Sequence, residues 1–406
     1  MENRRALITA YYMILFSVAA LVGLGLVMTV SAQTVTALAN DMSPYLQGLY
    51  QAVYAAIGVG AGLAFAHLPP PWLRRVGWAA MIVTLVLLGL VLLIGEMRGG
   101  NQNWLTIGGR TVQPAEFVKL ALALWLGSVL AMKAPTLGSW VDLIVPVLVV
   151  VALTLGLVLA GGDAGTAAVI GILVLGALIL AGVPWSKLAT VILVMGSLAV
   201  PVVMLSSHRR ARFATMLDPG ACTEAERLGQ CWQVSQAKYS LAQGGLLGQG
   251  LGASRAKWYL SQAESDFVFA IIGEELGWLG AVTVLVLFGL LGVGLFRVVR
   301  LHPDRFAQIT IGTVGCWIMG QALVNVGMVV QVLPVIGVPL PFVSVGGSSL
   351  VSCLAAIGVV VGLMRGNREV ARAIAPKSRR ALATAGVAAV SGPTVPSRSG
   401  PKRVKA

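Results

Sequence analysis

No charged residue lies between Arg305 and Arg365, and the same silence recurs along the chain. The stretches from Arg5 to Asp41, Arg75 to Glu96, Asp142 to Asp163, Asp163 to Lys187 and Lys187 to Arg209 are also free of charge between their ends. A helix crossing a bilayer needs about 20 consecutive apolar residues, and each gap supplies that many. Apolar residues make up 57% of the 406 residues and charged ones only 11%. A soluble domain carries roughly 25% charge, so the composition excludes one. The chain is expected to be an all-α, polytopic membrane protein.

Ten helices are predicted, over 7–30, 46–66, 76–95, 114–132, 142–160, 164–182, 187–206, 267–296, 306–330 and 343–364. The breaks fall at Pro69-Pro70-Pro71, Gly161-Gly162-Asp163, Val183-Pro184-Trp185 and the Pro334, Pro339, Pro341 series. With the N-terminus in the cytoplasm, 19 of the 29 Lys and Arg residues fall inside. These include Arg4, Arg5, Arg74, Arg75, Lys133, Lys187, Arg297, Arg300 and Arg305. Short inside loops are thus basic, as the positive-inside rule requires, and both termini are expected to be cytoplasmic. The lead before Arg5 is short, and the apolar run after it exceeds a signal h-region without a cleavage site. The first helix is therefore expected to remain as an anchor. The organisation read from this is a cytoplasmic lead 1–6, a ten-helix membrane domain 7–364 and a basic, disordered tail 365–406. The tail accounts for much of the net charge of +14 and suits anionic lipid better than nucleic acid.

Two segments on the predicted outer side are long, 96–113 and 207–266. Loops of that length in a compact fold are functional or disordered. The second holds Cys222 and Cys231. Oxidised, they would close a short loop and constrain the unfolded chain by roughly 2–3 kcal/mol; two free thiols is the other reading. Cys316 and Cys353 fall in apolar helices and read as small core residues.

Ionisable residues within a membrane are costly and each needs an account. Glu116 and Lys119, three apart at the start of the fourth helix, share a face, either as an internal ion pair or in catalysis. Asp163, after two glycines, reads as a cap of the sixth helix. The densest acidic cluster is Glu264, Asp266, Glu274 and Glu275. Asp266, where the long loop enters the eighth helix, is either a cap or a catalyst. Glu274 and Glu275 lie two to three turns deeper, so at least one must face a polar interior. The basic set His208, Arg209, Arg210, Arg212, Arg255 and Lys257 surrounds this cluster, suited to phosphate recognition or simply a solvated loop. The glycines at 244, 245, 248, 250 and 252 could approach a phosphate, but no strand precedes them. There is no Walker motif, and His67, His208 and His302 are scattered. The residues describe an outer polar site with acids and Arg on a membrane scaffold, fit for an anionic lipid.

These segments resemble the SEDS family, the shape, elongation, division and sporulation proteins. Asn101-Gln-Asn-Trp104-Leu-Thr-Ile-Gly-Gly, with Gln113-Pro-Ala-Glu116-Phe-Val-Lys119-Leu-Ala, resembles the family's NWL…G…QPSEFxKLA signature. Asp266-Phe-Val-Phe-Ala-Ile-Ile-Gly-Glu274-Glu275-Leu-Gly is similar to DFIFAxIGEELG. Pro339-Leu-Pro-Phe-Val-Ser344-Val-Gly346-Gly347-Ser348-Ser349 is similar to PLPFxSYGGSS. The Gln-Asn-Trp lead, the Arg255-Ala-Lys257-Trp segment and the basic tail look more like the division branch, FtsW, of actinobacterial type than the elongation branch, RodA. Gly161-Gly162 stands where the family has Q/E-P before the Asp, Val345 replaces Tyr, and Glu264-Ser265 replaces His-Thr.

The resemblance implies a peptidoglycan glycosyltransferase that polymerises lipid II at the outer membrane face, at the division septum. It implies Asp266 as the catalytic residue, here read as general base. Trp104, Glu116, Lys119, Arg210, Arg212 and Lys257 are implied substrate-binding residues. Asp163, Glu274, Glu275, Ser344, Gly346, Gly347 and Ser348 are expected to shape the cavity. A divalent cation (Mg or Mn) and no nucleotide is expected. Expected partners are a class B penicillin-binding transpeptidase, membrane lipids and divisome proteins, with FtsZ as a candidate for the basic tail. A lipid II flippase and a non-catalytic divisome scaffold are the competing readings.

Overall fold

The computed structural model describes residues 2–39, 41, 43–98, 101–217, 230–260, 262–367 and 370. Cys222, and with it the Cys222–Cys231 bridge, lies outside the described residues, as does the tail from 371 onward.

The chain opens with α1 (Glu2–Ala32), α2 (Pro44–His67) and α3 (Pro70–Ile94). A meander of β1 (Glu96–Arg98), β2 (Asn101–Ile107) and β3 (Arg110–Val112) leads into α4 (Pro114–Lys133). Next come α5 (Val149–Ala160), which completes a span begun at Trp140, then α6 (Ala164–Ala181) and α7 (Trp185–Met204). The long connection carries α8 (Ser207–Leu217) and α9 (Gln230–Gln243). A short α10 (Val268–Glu275) precedes α11 (Gly277–Leu301), α12 (Arg305–Val329) and α13 (Gly347–Gly366).

Among the described residues ten helices are long and apolar enough to cross a membrane, matching the predicted number. One expectation needs correction and one is extended. The predicted helix 267–296 is two helices, because Gly277 sits at φ +67, where a right-handed helix cannot continue. Glu274 and Glu275 therefore belong to the short α10 and not to the interior of a span. The all-α expectation describes the spans but omits the antiparallel meander. Gly108 and Gly109, at φ +58 and +76, make its tight turn, the backbone that a two-residue hairpin demands.

Burial divides the spans into a centre and a shell. In the most apolar window of α4, 83% of residues are buried, and in α12 and α13 78%, against 17% in α7. Helices enclosed by protein rather than lipid approach one another through small residues. Gly358 of α13 lies on the backbone of Gly62 of α2, Gly362 on Phe65 and Gly127 of α4 on Thr310 of α12. Gly176 of α6 meets the half-buried Cys316, while Cys353 is fully buried, a small core residue as expected.

The loops sort onto two faces. One face gathers the meander, the turn 161–163, the described parts of the long connection (205–217, 230–260 and 262–276) and the segment 330–346. On the other, Arg74 pairs with Asp304 at 3.3 Å, Lys133 with Asp142 at 2.9 Å, and Lys187 donates to the Gly138 carbonyl at 2.6 Å. The α2–α13 crossing has no room for a side chain at Gly358. Gly358→Ala is expected to destabilise the bundle by about 1–3 kcal/mol through overpacking, read as a lower unfolding midpoint in detergent.

Candidate functional site

Asp266 sits where the turn 262–265 meets α10. The residue before the first turn of α10 is Phe267, and no side chain caps that helix, so the capping account of Asp266 does not hold. Three successive carbonyls of its segment are pinned from elsewhere. Glu264 O accepts from Val345 N (3.0 Å), Ser265 O from Ser344 Oγ (2.5 Å) and Asp266 O from Asn325 Nδ2 (2.8 Å). Ser344 Oγ also accepts from Leu340 N at 2.8 Å, so one hydroxyl bridges two segments. The 339–349 motif thus acts on the main chain that carries Asp266.

The Asp266 carboxyl is pushed up to about 6, first by burial, with Asp163 and Glu264 adding to the shift and Arg212 opposing it. Arg212, on α8, is itself lowered by burial and only partly offset by Asp266. Its Nε is buried without a hydrogen-bond partner. Arg212 also lines a small, open cleft with Met216, Val234, Leu333, Pro334 and Val335. A carboxyl titrating near neutrality beside a guanidinium and an apolar cleft can take a proton and neutralise an anion in the same place.

Asp163 is the second polar node of this face. It caps α6 as the sequence predicts, accepting from Thr166 N and Thr166 Oγ1 at 2.8 Å each. It also accepts from Asn103 Nδ2 (3.0 Å) and Gln113 Nε2 (2.9 Å), which joins β2 and the start of α4 to α6. Gln113 N donates to Ser348 Oγ at 3.1 Å, bringing in α13. Gly347 lies against the Tyr54 ring and Gly346 precedes α13, so both shape this junction. Trp104 is half-buried on β2, beside Asn103.

Glu116 and Lys119 pair at 2.7 Å with side chains only 3% and 2% exposed. Lys119 Nζ also donates to Gln321 Oε1 (3.0 Å) and lies 5.1 Å from the Trp317 ring centroid. The geometry favours the internal ion pair between α4 and α12.

Both deep glutamates face polar partners. Glu274 accepts from Ser240 Oγ (2.8 Å), Ser254 Oγ (2.6 Å) and Arg255 N (2.8 Å). Glu275 accepts from Ser31 Oγ at 2.6 Å and pairs with Lys257 at 3.4 Å. Lys257 is buried, and its Nζ also donates to Gly252 O at 2.7 Å. That corrects its expected role: its ammonium is committed to Glu275 and the loop backbone. Arg209 is similarly committed, donating to Gly162 O and Val202 O at 2.9 Å each. Arg210 is exposed. The glycine run also finds its reason here. Gly248, at φ +82, lies on the Glu275 and Gly277 backbone, and Gly244 on Gly273. Gln249 N and Gly250 N donate to Glu274 O and Glu275 O at 2.9 and 3.1 Å. At Gly244 and Gly248 the missing side chain lets two backbones touch.

Sequence reasoning missed the neutral partners Ser31, Asn103, Gln113, Ser240, Ser254, Gln321 and Asn325. Amides within apolar helices, as at Gln321 and Asn325, were a usable signal, since lipid offers them no partner.

Fold and site together define a polytopic membrane protein with a carboxylate centre on one face of its bundle. The chain belongs to the FtsW, RodA and SpoVE family of cell cycle proteins, whose family model matches residues 12–369. The probable peptidoglycan glycosyltransferase FtsW of Mycobacterium tuberculosis is 34% identical over 373 residues, covering 90% of this chain and 70% of that protein. Stage V sporulation protein E of Bacillus subtilis is 33% identical over 356 residues, covering 86% of this chain and 95% of that one. A solved peptidoglycan synthase complex that coordinates polymerization and crosslinking contains a chain with TM-score 0.72 and 28% identity, covering 88% of this chain and 98% of that one. The Thermus thermophilus rod shape determining protein RodA superposes with TM-score 0.64 at 26% identity, covering 87% of this chain and 96% of its own. The resemblance to the family and to its FtsW branch is borne out.

Lys257 and Glu275 are both buried, so removing one leaves the other charge without compensation. Lys257→Met is expected to cost about 3–5 kcal/mol, and the Lys257→Met, Glu275→Gln pair less than that, in unfolding measurements.

Proposed function

We propose that this chain polymerises lipid II into glycan strands during septal wall synthesis, with Asp266 as general base. It is a peptidoglycan glycosyltransferase. The observation that carries the residue assignment is the Asp266 carboxyl, raised to about 6 beside Arg212 on the face that gathers the long loops.

The acceptor GlcNAc hydroxyl gives its proton to the Asp266 carboxylate as its oxygen attacks the anomeric carbon of the lipid-linked donor. The bond from that carbon to the diphosphate breaks, and undecaprenyl pyrophosphate leaves. A positioned base of this kind contributes about 10²–10⁴-fold. Charge develops on the leaving diphosphate, and Arg212 and the exposed Arg210 are assigned to neutralise it. Trp104 is assigned to the border of the sugar or lipid path. Among the described residues no cluster of three or more His, Cys, Asp or Glu could hold a metal ion. A divalent cation, when bound, would be carried by the substrate diphosphate and would supply charge neutralisation there; no residue of this chain is assigned to it.

The loop face is assigned to the outside of the cytoplasmic membrane, with both termini inside, because the opposite face carries Arg74, Lys133, Lys187 and Arg305. A class B penicillin-binding transpeptidase is the assigned partner, because a solved complex with a chain similar to this one coordinates polymerization and crosslinking. Membrane lipids, and FtsZ among divisome proteins, are assigned to the basic tail. Transport would need mobile deep charges, whereas Glu116, Glu274 and Glu275 are held in buried hydrogen bonds.

In lipid II polymerisation by the full chain with its transpeptidase, Asp266→Asn is expected to abolish strand formation while lipid II binding persists. Strands from the variant would remove the base from Asp266. Wild-type activity should fall about tenfold per pH unit below about 6, as the base becomes protonated. Stability moves the other way. The folded value lies above the unfolded one, about 3.9, so ionised Asp266 destabilises the fold above pH 6, and the effect fades as pH falls toward 4. Asp266→Asn should therefore unfold at a higher temperature than wild type at pH 7.5, and at the same temperature near pH 4.

A further inference from the structure

We infer that Asn325 is a positioning residue for the reaction, holding the Asp266 main chain in place from within the membrane bundle; this rests on the reading of Asp266 as general base. Asn325 lies on α12 and is fully buried. Its Nδ2 donates to Asp266 O at 2.8 Å and to Val338 O at 2.7 Å. An amide nitrogen carries two hydrogens, so one side chain ties the segment bearing the carboxylate to the extended segment before α13. The Oδ1 of the same amide is buried without a partner. A residue kept only to fill space would not bury an acceptor that way, since an unsatisfied polar atom is costly. The two donated bonds are what favour Asn here.

Four residues earlier, on the same helix face, Gln321 makes the parallel contact. Its Nε2 donates to Pro339 O at 2.9 Å, next to the carbonyl that Asn325 holds. Its Oε1 accepts from Lys119 Nζ at 3.0 Å and from Trp317 Nε1 at 2.9 Å. The buried Glu116–Lys119 pair thus fixes Gln321, Gln321 fixes Pro339, and Asn325 joins Val338 to Asp266. This gives the ion pair, remote from solvent, a route to the reacting group without touching substrate.

Asn325 differs from ordinary core glue in what it holds. The Asp266 carbonyl closes the turn that aims the carboxyl, between residues pinned by Ser344 and Val345 on one side and α10 on the other. Deprived of its donor, that carbonyl must rotate toward another, and the Cα–Cβ direction of Asp266 rotates with it. A displacement of about 1 Å in a reacting group can cost roughly 100-fold in rate.

The test is glycan strand synthesis from lipid II by the full chain with its transpeptidase, across pH, for wild type, Asp266→Asn, Asn325→Leu, Asn325→Asp and Gly358→Ala. Asn325→Leu should lower kcat by roughly 100-fold with KM for lipid II unchanged. The acidic midpoint of its pH profile should move down toward the ordinary carboxylate range as the carboxyl swings toward water. Gly358→Ala, destabilised far from the site, should keep the wild-type midpoint. Wild-type kcat in folded Asn325→Leu would overturn the inference, and so would a loss of kcat with an unmoved midpoint. If the Leu variant does not fold, Asn325→Asp decides by kcat alone, because it keeps the shape and turns a lone pair toward both carbonyls while its added carboxylate would itself raise the midpoint; wild-type kcat there would overturn the inference. Activity in Asp266→Asn would instead overturn the general-base reading. With that variant inert, the Asn325 results bear on positioning alone.

Discussion

The carbonyls of Glu264, Ser265 and Asp266 accept from Val345 N, Ser344 Oγ and Asn325 Nδ2, and the site depends on those bonds. They arise because the carbonyls at the end of a turn that stops short of α10 have no helical donor of their own. The donors come from α12 and from the segment leading into α13, two of the most buried helices in the bundle. A reactive group on a long connection is thereby referenced to the rigid centre of the fold and not to the loop that carries it. The same logic explains the paired glycines at 248 and 277. They let the 244–252 turn lie directly on the break between α10 and α11, so Glu274 and Glu275 can hold that turn from beneath.

Much of this was legible in the sequence, for a simple reason. Lipid makes apolar length an almost sufficient signal, so the number of spans follows from the gaps between charges. The acids that matter were legible too, because ionisable residues near membrane are few. What escaped was local and depended on backbone sign. A run such as 267–296 reads as one helix, since nothing in its apolar pattern shows that Gly277 is at positive φ. The meander escaped because 96–113 is flanked by spans, although Gly108-Gly109 between β-branched residues was a hairpin signal. Lys257 was placed with Arg212 because both fall on the long outer segment 207–266 that leads to Asp266. Which cation meets the acid and which is taken by Glu275 is a question of tertiary contact, and spacing does not encode it.

The acids of this face differ less in sequence context than in what surrounds them. Asp163, Glu274 and Glu275 each receive several donors, and each joins elements: β2 and α4 to α6, α9 to α10, and α1 to the 252–257 turn. Asp266 is supplied on its backbone instead. Its carboxyl is pressed by burial and by two neighbouring acids, with Arg212 as the chief counterweight. The fold thus directs its hydrogen bonds to the main chain of the reactive residue and to the side chains of the structural ones. That division keeps Asp266 precisely placed yet poorly stabilised as an anion, the combination a base needs to accept a proton near neutral pH. It also separates position from proton affinity: substitutions at Asn325 or Ser344 act first on where the carboxyl points, whereas substitutions at Arg212 act first on how readily it ionises.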